Sequence, residues 1–225
     1  MQNSTRILLV RHGESLGNSN RIMLGITDLD MSERGYRQAR ACAEFLKNEK
    51  IDAIYSSDLK RAYNTAVPHA ELRGMEIITD VRLRETDVGA WENRPFAEIA
   101  AEEGELYLLW RGKFGPVVFP GGENIMAAGR RFYDAVLDIA GKNKGKTVLI
   151  TAHAGVIRSF WGQLLGLLPE EIGERLPFAT NASTSYLAYD GERLIPGEYS
   201  VDHYLSDVGV LVPGALTKSE KPTEK

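Results

Sequence analysis

Short apolar runs alternate along this chain with longer segments whose apolar residues recur every three or four positions. The runs at 6–10 (RILLV) and 146–151 (KTVLIT) have the length and composition of buried strands, and 52–57 and 75–80 are weaker strand-like stretches. A last strand and turn are expected at 183–191. Alternation of strands and helices over the whole length predicts an α/β fold with a mostly parallel central sheet flanked by helices.

Helical spacing is clear after Ser32, a residue type that commonly caps helix N-termini. Apolar residues there follow the i, i+3, i+4, i+7 pattern of one helical face, so the single cysteine is interpreted as a small packing residue rather than a reactive thiol. That face comprises Ala39, Cys42, Ala43 and Leu46. Further helices are predicted at 58–74, from about 96 to 110, over 125–139 and from 154 onward.

Bulk properties are those of an ordinary globular protein and exclude several partners. A net charge of -4 provides no basic field to attract nucleic acid, so any anionic ligand must be held by local cations. One cysteine permits no intrachain disulfide, and no signal peptide or membrane-spanning run is recognisable, which favours a cytoplasmic protein without a membrane partner. We expect a single domain over 1–212, with a cap insertion at about 91–123, and a polar, disordered tail at 213–225.

Cationic residues and histidines occupy the ends of three predicted strands. The first strand ends in Arg11 and His12, the second leads into a helix whose first turn carries Arg61, and the fourth is followed by His153. Ligands bind outside the carboxyl ends of the strands in such sheets. These four side chains therefore meet at one edge if the strands are neighbours.

Two imidazoles among guanidinium groups suit phosphoryl transfer. The planar fork of arginine matches phosphate oxygens, and a neutral imidazole can attack phosphorus and carry the phosphoryl group. Nearby cations lower the pKa of a histidine and so keep it neutral. Phosphoryl transfer mainly needs positioning and charge stabilisation, which Arg11, Arg61 and His153 can supply without a metal.

The leaving alcohol also needs a proton, so a carboxylic acid should lie nearby. Glu85 follows a strand-like run in a long loop, but chemistry alone does not separate it from Glu14, Asp58 or Asp87. A metal-dependent hydrolase has less support, because the histidines lack the short spacings of metal ligands.

Five ordered segments stand out between Arg6 and Asp190. They are RHGES at 11–15 (with Asn18 shortly after), SSDLKRAYNTA, LRETDVGAWENRPFAEI, PGGEN and AHAGVIR. Together they resemble the histidine phosphatase superfamily, and most closely its phosphoglycerate-mutase-like branch of cytoplasmic phosphomonoesterases. The resemblance implies a three-layer α/β/α sandwich with a small helical cap, in agreement with the alternation of strands and helices.

The resemblance also implies a role for each matching residue. His12 would be the phosphorylated nucleophile, and Glu85 would give the leaving group its proton and then activate water. Asn18 would contact the phosphoryl group. The rest of the phosphate pocket would comprise Arg11, Arg61 and His153. The lining of the site would include Gly25, Ala154 and Gly155. No metal and no other cofactor is expected, and the substrate would be a small phosphorylated metabolite.

Departures from the family pattern leave these groups in place. Asn93 stands where these phosphatases often have glycine, Met31 stands where leucine is usual, and the second histidine motif reads Ala-His-Ala rather than Thr-His-Gly. Phosphoglycerate mutases usually carry a lysine- and arginine-rich insertion after the acid loop, whereas 101–124 is short and acidic at first, which favours a hydrolase over a mutase. A non-catalytic phosphate-binding protein is a third alternative, disfavoured because both His12 and Glu85 are present.

Substrate specificity is expected to come from the segment between Trp91 and Glu123. Four aromatic residues there can form an apolar wall for a bulky organic group, although simple burial is the favoured interpretation of the middle two. They are Trp91, Tyr107, Trp110 and Phe114. Arg111 and Lys113 are either contacts to a second anionic group or solvated. The sequence names no substrate, and a homodimer is only the default expectation for such an enzyme.

Overall fold

The structure, a computed structural model, describes residues 4–209, and a six-stranded sheet lies at its centre. Its strands are β1 (Thr5–Arg11), β2 (Ala53–Ser56), β3 (Ile77–Thr79), β4 (Thr147–Ala152), β5 (Thr184–Tyr189) and β6 (Leu194–Pro196). They lie in the order β3-β2-β4-β1-β5-β6; the first four are mutually parallel, and β5 is antiparallel to both β1 and β6. The predicted mostly parallel sheet is confirmed.

Helices connect and cover these strands. They are α1 (Leu16–Ser19), α2 (Glu33–Phe45), α3 (Lys60–Glu71), α4 (Phe96–Glu102), α5 (Gly104–Gly112), α6 (Ile125–Lys142), α7 (Ala154–Leu164) and α8 (Pro169–Arg175). Short 3-10 turns occur at Val81–Leu83, Gly89–Trp91 and His203–Leu205.

The two faces of the sheet carry separate apolar cores. Successive side chains of β1 alternate between them: Ile7 and Leu9 pack with residues of α6 and α7, whereas Leu8 and Val10 pack with residues of α2 and α3. All four are fully buried, which explains why this strand reads as an unbroken apolar run. The sheet therefore lies between two helical layers, and the predicted three-layer sandwich is confirmed.

Three predicted elements differ from the structure. The helix expected from about 96 to 110 is two helices, α4 and α5, separated at Glu103, whose backbone leaves the helical region just before a glycine of low helix propensity. The long helix expected after 154 likewise ends near Gly166, which has a φ of +69°, and α8 restarts at Pro169. Regular structure also continues beyond β5, with the edge strand β6. This strand was not predicted, because three residues are too few to show a periodic pattern.

The helix after Ser32 forms as predicted. The Ser32 side chain accepts a hydrogen bond from the Gly35 backbone N–H at the start of α2. Cys42 is fully buried, and burial raises the pKa of its thiol to about 11. Its interpretation as a packing residue is confirmed.

Two further expectations concern the membrane and the C-terminal tail. No helix between residues 4 and 209 is long and apolar enough to cross a bilayer. The tail predicted at 213–225 lies outside the described residues.

Candidate active site

The carboxyl ends of β1 and β4 place the two histidines side by side. Arg11 pairs with Ala152 in the parallel register, and His12 N–H donates to the Ala152 carbonyl at 2.9 Å. His153 follows directly, and the centroids of the two imidazole rings lie 5.2 Å apart. The prediction that neighbouring strands bring these groups to one edge is confirmed.

The His12 ring has one determined orientation and tautomer. Its Nδ1 atom lies 2.6 Å from the Gly13 carbonyl oxygen, and because a carbonyl can only accept, Nδ1 carries the hydrogen. The Nε2 atom therefore keeps its lone pair. Burial, followed by the charges of Arg11 and Arg61, holds the pKa of His12 well below 6.5. The ring is neutral at pH 7.

Two buried arginines flank this ring. Arg61 donates to the carbonyl oxygens of Gly25 at 2.6 Å and Thr27 at 2.8 Å, and Arg11 donates to the Ala179 carbonyl at 2.6 Å. Burial lowers the pKa of Arg11 to about 10, against the opposing charge of Glu85, so the guanidinium still carries its charge at neutral pH. Both cations line the same cavity as His12.

His153 is held from behind by Ser57. Its Nε2 atom lies 2.9 Å from the Ser57 hydroxyl, whereas Nδ1 has no hydrogen-bond partner among residues 4–209. Burial, with contributions from Arg61 and His12, holds the pKa of His153 well below its ordinary value. Ser57 lies in one of the five segments noted in the sequence. Its contact with His153 could not be predicted there, because it depends on β2 and β4 being neighbours in the sheet.

Glu85 occupies the N-terminus of α7. Its carboxylate accepts hydrogen bonds from the backbone N–H groups of Gly155 at 2.8 Å, Val156 at 2.9 Å and Thr86 at 2.8 Å. A helix N-terminus favours negative charge through its dipole and unpaired N–H groups. A Cβ at position 155 would lie 2.6 Å from the Glu85 Oε1 atom, so a larger residue there would displace the carboxylate from this position.

The four carboxyl groups considered as proton donors lie in different places in the structure. Among the described residues that line the cavity, Glu85 is the only carboxylate. Glu14 is instead bound by Ser32 and Arg34, and Asp58 is paired with Arg84. Asp87 also lies outside this lining.

Arg131 fixes the loop that presents Glu85. From α6 it donates to the carbonyl oxygens of Arg82 at 2.8 Å, Arg84 at 3.0 Å and Glu85 at 3.2 Å, and it pairs with Glu123. Sequence reasoning missed Arg131, because no local pattern links α6 to a loop more than 40 residues away.

The remaining predicted site residues differ in their placement. Asn18, Ala154 and Gly155 line the cavity, whereas Gly25 is absent from its lining and acts through its carbonyl, which accepts from Arg61. Asn181, which the sequence analysis did not select, lines the cavity between the backbone of His12 and the side chain of Asn18.

The cavity has a volume of about 290 Å³, and several of its lining residues are aromatic. Tyr107, Trp110 and Phe114 line it, although they are also nearly buried in the core. For Tyr107 and Trp110, both the apolar wall and the simple burial considered from the sequence therefore apply. Trp91 is fully buried and lies outside the lining. Arg111 lines the cavity, whereas Lys113 pairs with Glu174.

No three His, Cys, Asp or Glu side chains between residues 4 and 209 are grouped so that they could hold a metal ion. The cavity is thus lined by the neutral His12 ring, two buried guanidinium groups and one carboxylate. His153 is fully buried and does not belong to the lining, but its ring lies 5.2 Å from that of His12. Such a set can bind a phosphate dianion and present a nucleophile to it.

Comparison with known proteins places this site in a family. The profile of the histidine phosphatase superfamily (branch 1) matches residues 7–199. The chain belongs to the histidine phosphatase superfamily. The resemblance of its five sequence segments to this family is thereby confirmed, and so is its fold.

Relatives of this histidine phosphatase include enzymes named for different phosphorylated metabolites. A metal-independent phosphoserine phosphatase of Arabidopsis thaliana is 35% identical over 213 residues, covering 93% of this chain and 87% of the relative. A probable phosphoglycerate mutase of Yersinia pestis is 35% identical over 189 residues, covering 82% and 85%. The structure of a mycobacterial glucosyl-3-phosphoglycerate phosphatase superposes with a TM-score of 0.81 at 31% identity, covering 88% of this chain and 99% of the other. The protein is a phosphatase of this superfamily.

Proposed function

We propose that this phosphatase hydrolyses small phosphomonoesters without a metal, through a phosphohistidine formed on His12. The observation that carries the proposal is the hydrogen bond from His12 Nδ1 to the Gly13 carbonyl, which leaves the Nε2 lone pair as the attacking atom. A low pKa keeps that lone pair unprotonated at neutral pH.

In the first step, Nε2 attacks phosphorus and the bond between phosphorus and the alcohol oxygen breaks. Arg11 and Arg61, which line the cavity beside His12, stabilise charge on the oxygens of the transferring group, and His153, whose ring lies 5.2 Å from that of His12, assists them. Glu85, in its protonated form, gives its proton to the leaving oxygen and becomes the carboxylate that the backbone N–H groups of α7 bind.

In the second step, water attacks the phosphohistidine and the N–P bond breaks. The Glu85 carboxylate takes a proton from that water, phosphate leaves, and both His12 and Glu85 return to their starting states. The carboxylate position at the α7 N-terminus serves both steps, because the leaving oxygen and the entering water occupy the same side of phosphorus.

Single-turnover labelling tests this proposal. Protein mixed with a ³²P-labelled aryl phosphate in EDTA is expected to acquire an acid-labile, alkali-stable label and to release phosphate. His12→Asn should abolish both signals, whereas His203→Asn, which changes an exposed histidine, should leave them unchanged. Robust turnover by His12→Asn, or loss of activity on chelation, would contradict the proposal.

A mutase transfers the same phosphoryl group to a second alcohol instead of water. The name of the Yersinia pestis relative makes this the alternative to test. A coupled assay with phosphoglycerate and a trace of bisphosphoglycerate separates the two, because hydrolysis releases inorganic phosphate and isomerisation does not.

A further inference from the structure

Among the described residues, six aromatic side chains belong to the lining of the cavity. We call this set the aromatic cup; it comprises Phe96, Tyr107, Trp110, Phe114, Phe119 and Phe178. The ring centroids of Phe96 and Trp110 are 5.9 Å apart with nearly parallel planes, and those of Phe114 and Phe178 are 5.3 Å apart and perpendicular. Flat apolar surfaces in these orientations suit a flat apolar ligand.

The cup is built before any ligand arrives. The Arg158 guanidinium lies 4.2 Å from the centroid of Phe178 and 4.6 Å from that of Phe114. It is anchored by hydrogen bonds to the carbonyl oxygens of Leu176 at 2.7 Å and Gly173 at 2.8 Å. Rings held in this way lose little freedom on binding, so more of the contact energy appears as affinity.

The charges around the cavity select against a cationic ligand. Among the described lining residues, four are arginines and one is a carboxylate, Glu85. The arginines are Arg11, Arg21, Arg61 and Arg111. An ammonium group on the alcohol would therefore lie among guanidinium groups that include Arg11, Arg61 and Arg111, and Glu85 is already bound by three backbone N–H groups.

We propose that the alcohol part of the substrate is aromatic, or similarly flat and apolar, and carries no positive charge. The inference rests on the proposed function for the phosphate end of the site, and it concerns only the group that fills the aromatic cup. The inference distinguishes this protein from a phosphatase that acts on phosphoserine. The small polar alcohol part of phosphoserine would leave water in contact with the aromatic cup, and its ammonium group would find no free carboxylate in the lining.

Binding of non-hydrolysable phosphonates tests the inference without relying on turnover. Titration calorimetry would compare propylphosphonate, 3-phenylpropylphosphonate and 3-aminopropylphosphonate, which share one anionic head. Burying a phenyl ring is expected to lower Kd by about tenfold or more, and the ammonium group should raise it. Equal affinity for the propyl and phenylpropyl compounds, or tighter binding of the aminopropyl compound, would overturn the inference.

Variants of the aromatic cup test whether its rings cause the preference for the phenylpropyl compound. Phe178→Ala should reduce the ratio of the propyl to the phenylpropyl Kd to near one, and Phe96→Ala, at a second half-buried wall position, provides an independent variant if the first does not fold. Phe45→Ala is the matched control, because Phe45 lies outside the cavity and stacks on Tyr204. A ratio that survives in the folded cup variants would overturn the assignment.

The two proposals fail in different ways. Absence of phosphate release from every phosphomonoester, with the phosphonate preference intact, would overturn the catalytic proposal and leave the cup assignment standing. Release of phosphate with no preference among the phosphonates would overturn the cup assignment and leave the catalytic proposal standing.

Discussion

The Asn181 side-chain amide donates hydrogen bonds of 3.1 Å to the Oδ1 atom of Asn18 and to the His12 carbonyl oxygen. The Ser15 backbone N–H donates to the same Oδ1 atom, also at 3.1 Å. Because two donors bind this oxygen, the orientation of the Asn18 amide is determined. Under the proposed function, the NH2 group of Asn18 donates to the phosphoryl group, and we propose that Asn181 positions it.

A double-mutant cycle tests this relationship. Asn18→Ala and Asn181→Ala are each expected to lower kcat/KM for an aryl phosphate by roughly tenfold, since each removes a hydrogen bond to a charged group or its support. The double variant should lose less activity than the product of the two single losses, because the two substitutions remove one shared hydrogen bond. Additive losses would contradict the idea that Asn181 acts through Asn18.

The low pKa of His12 has causes that can be removed one at a time. Burial is the largest, followed by the charges of Arg11 and Arg61. Arg61→Met removes one cation while keeping apolar bulk, so the pKa of His12 should rise toward 6.5 and kcat/KM should fall by about a hundredfold or more. NMR titration of the His12 ring measures the first effect. Arg73→Met is the control, because the Arg73 guanidinium donates to the carbonyl oxygens of His69 and Leu46 and is absent from the causes of the shift. An unchanged His12 titration in Arg61→Met would contradict this account.

Much of the site was predictable because it follows from strand order. His12 and His153 both come directly after buried parallel strands, so their meeting needed only that β1 and β4 be neighbours. The choice of Glu85 over Asp58 was not predictable from chemistry, because it depends on which loop reaches the N-terminus of α7. Asn181 was not predictable for the same reason, because its partners lie more than 160 residues away along the chain.

One departure from the family pattern has a structural explanation. Asn93, found where these phosphatases often have glycine, has a φ of +59°. This left-handed region is open to glycine and, among other residues, is best tolerated by asparagine and aspartate. The sequence alone marked the position as unusual, and the backbone shows why the substitution is acceptable.

Glu92 holds the loop to which Arg61 is anchored. Its carboxylate accepts hydrogen bonds from the backbone N–H groups of Gly25 at 3.1 Å, Ile26 at 2.7 Å and Thr27 at 3.2 Å, and from the Thr27 hydroxyl at 2.6 Å. The carbonyls of Gly25 and Thr27 in turn accept from Arg61. Glu92 therefore supports the loop that holds Arg61 without lining the cavity itself.

Glu92→Gln is the matching test, because it keeps the size of the side chain and replaces one acceptor oxygen by a donor. We expect the free energy of unfolding to fall by about 1–3 kcal/mol and kcat/KM to fall by roughly tenfold as Arg61 loses its fixed support. Urea denaturation and steady-state kinetics measure the two effects. Glu98→Gln, at an exposed position of α4, is the control. A stability loss without any change in kcat/KM would show that the loop does not position Arg61.

His69 makes stability depend on pH, independently of catalysis. It is fully buried in α3, neither ring nitrogen has a hydrogen-bond partner among residues 4–209, and burial lowers its pKa to about 3. Between pH 6.5 and 3 the unfolded chain binds a proton that the folded protein excludes, so acidification lowers the free energy of unfolding. At pH 5 this single group lowers the free energy of unfolding by about 2 kcal/mol relative to pH 7.

Replacing the buried histidine tests this account. His69→Leu should reduce the loss of stability between pH 7 and pH 5 by that amount, as measured by urea denaturation at both pH values. His203→Leu, at an exposed histidine, is the control. An equal loss of stability in His69→Leu and the unsubstituted protein would contradict the assignment, since the other buried histidines, His12 and His153, contribute identically to both.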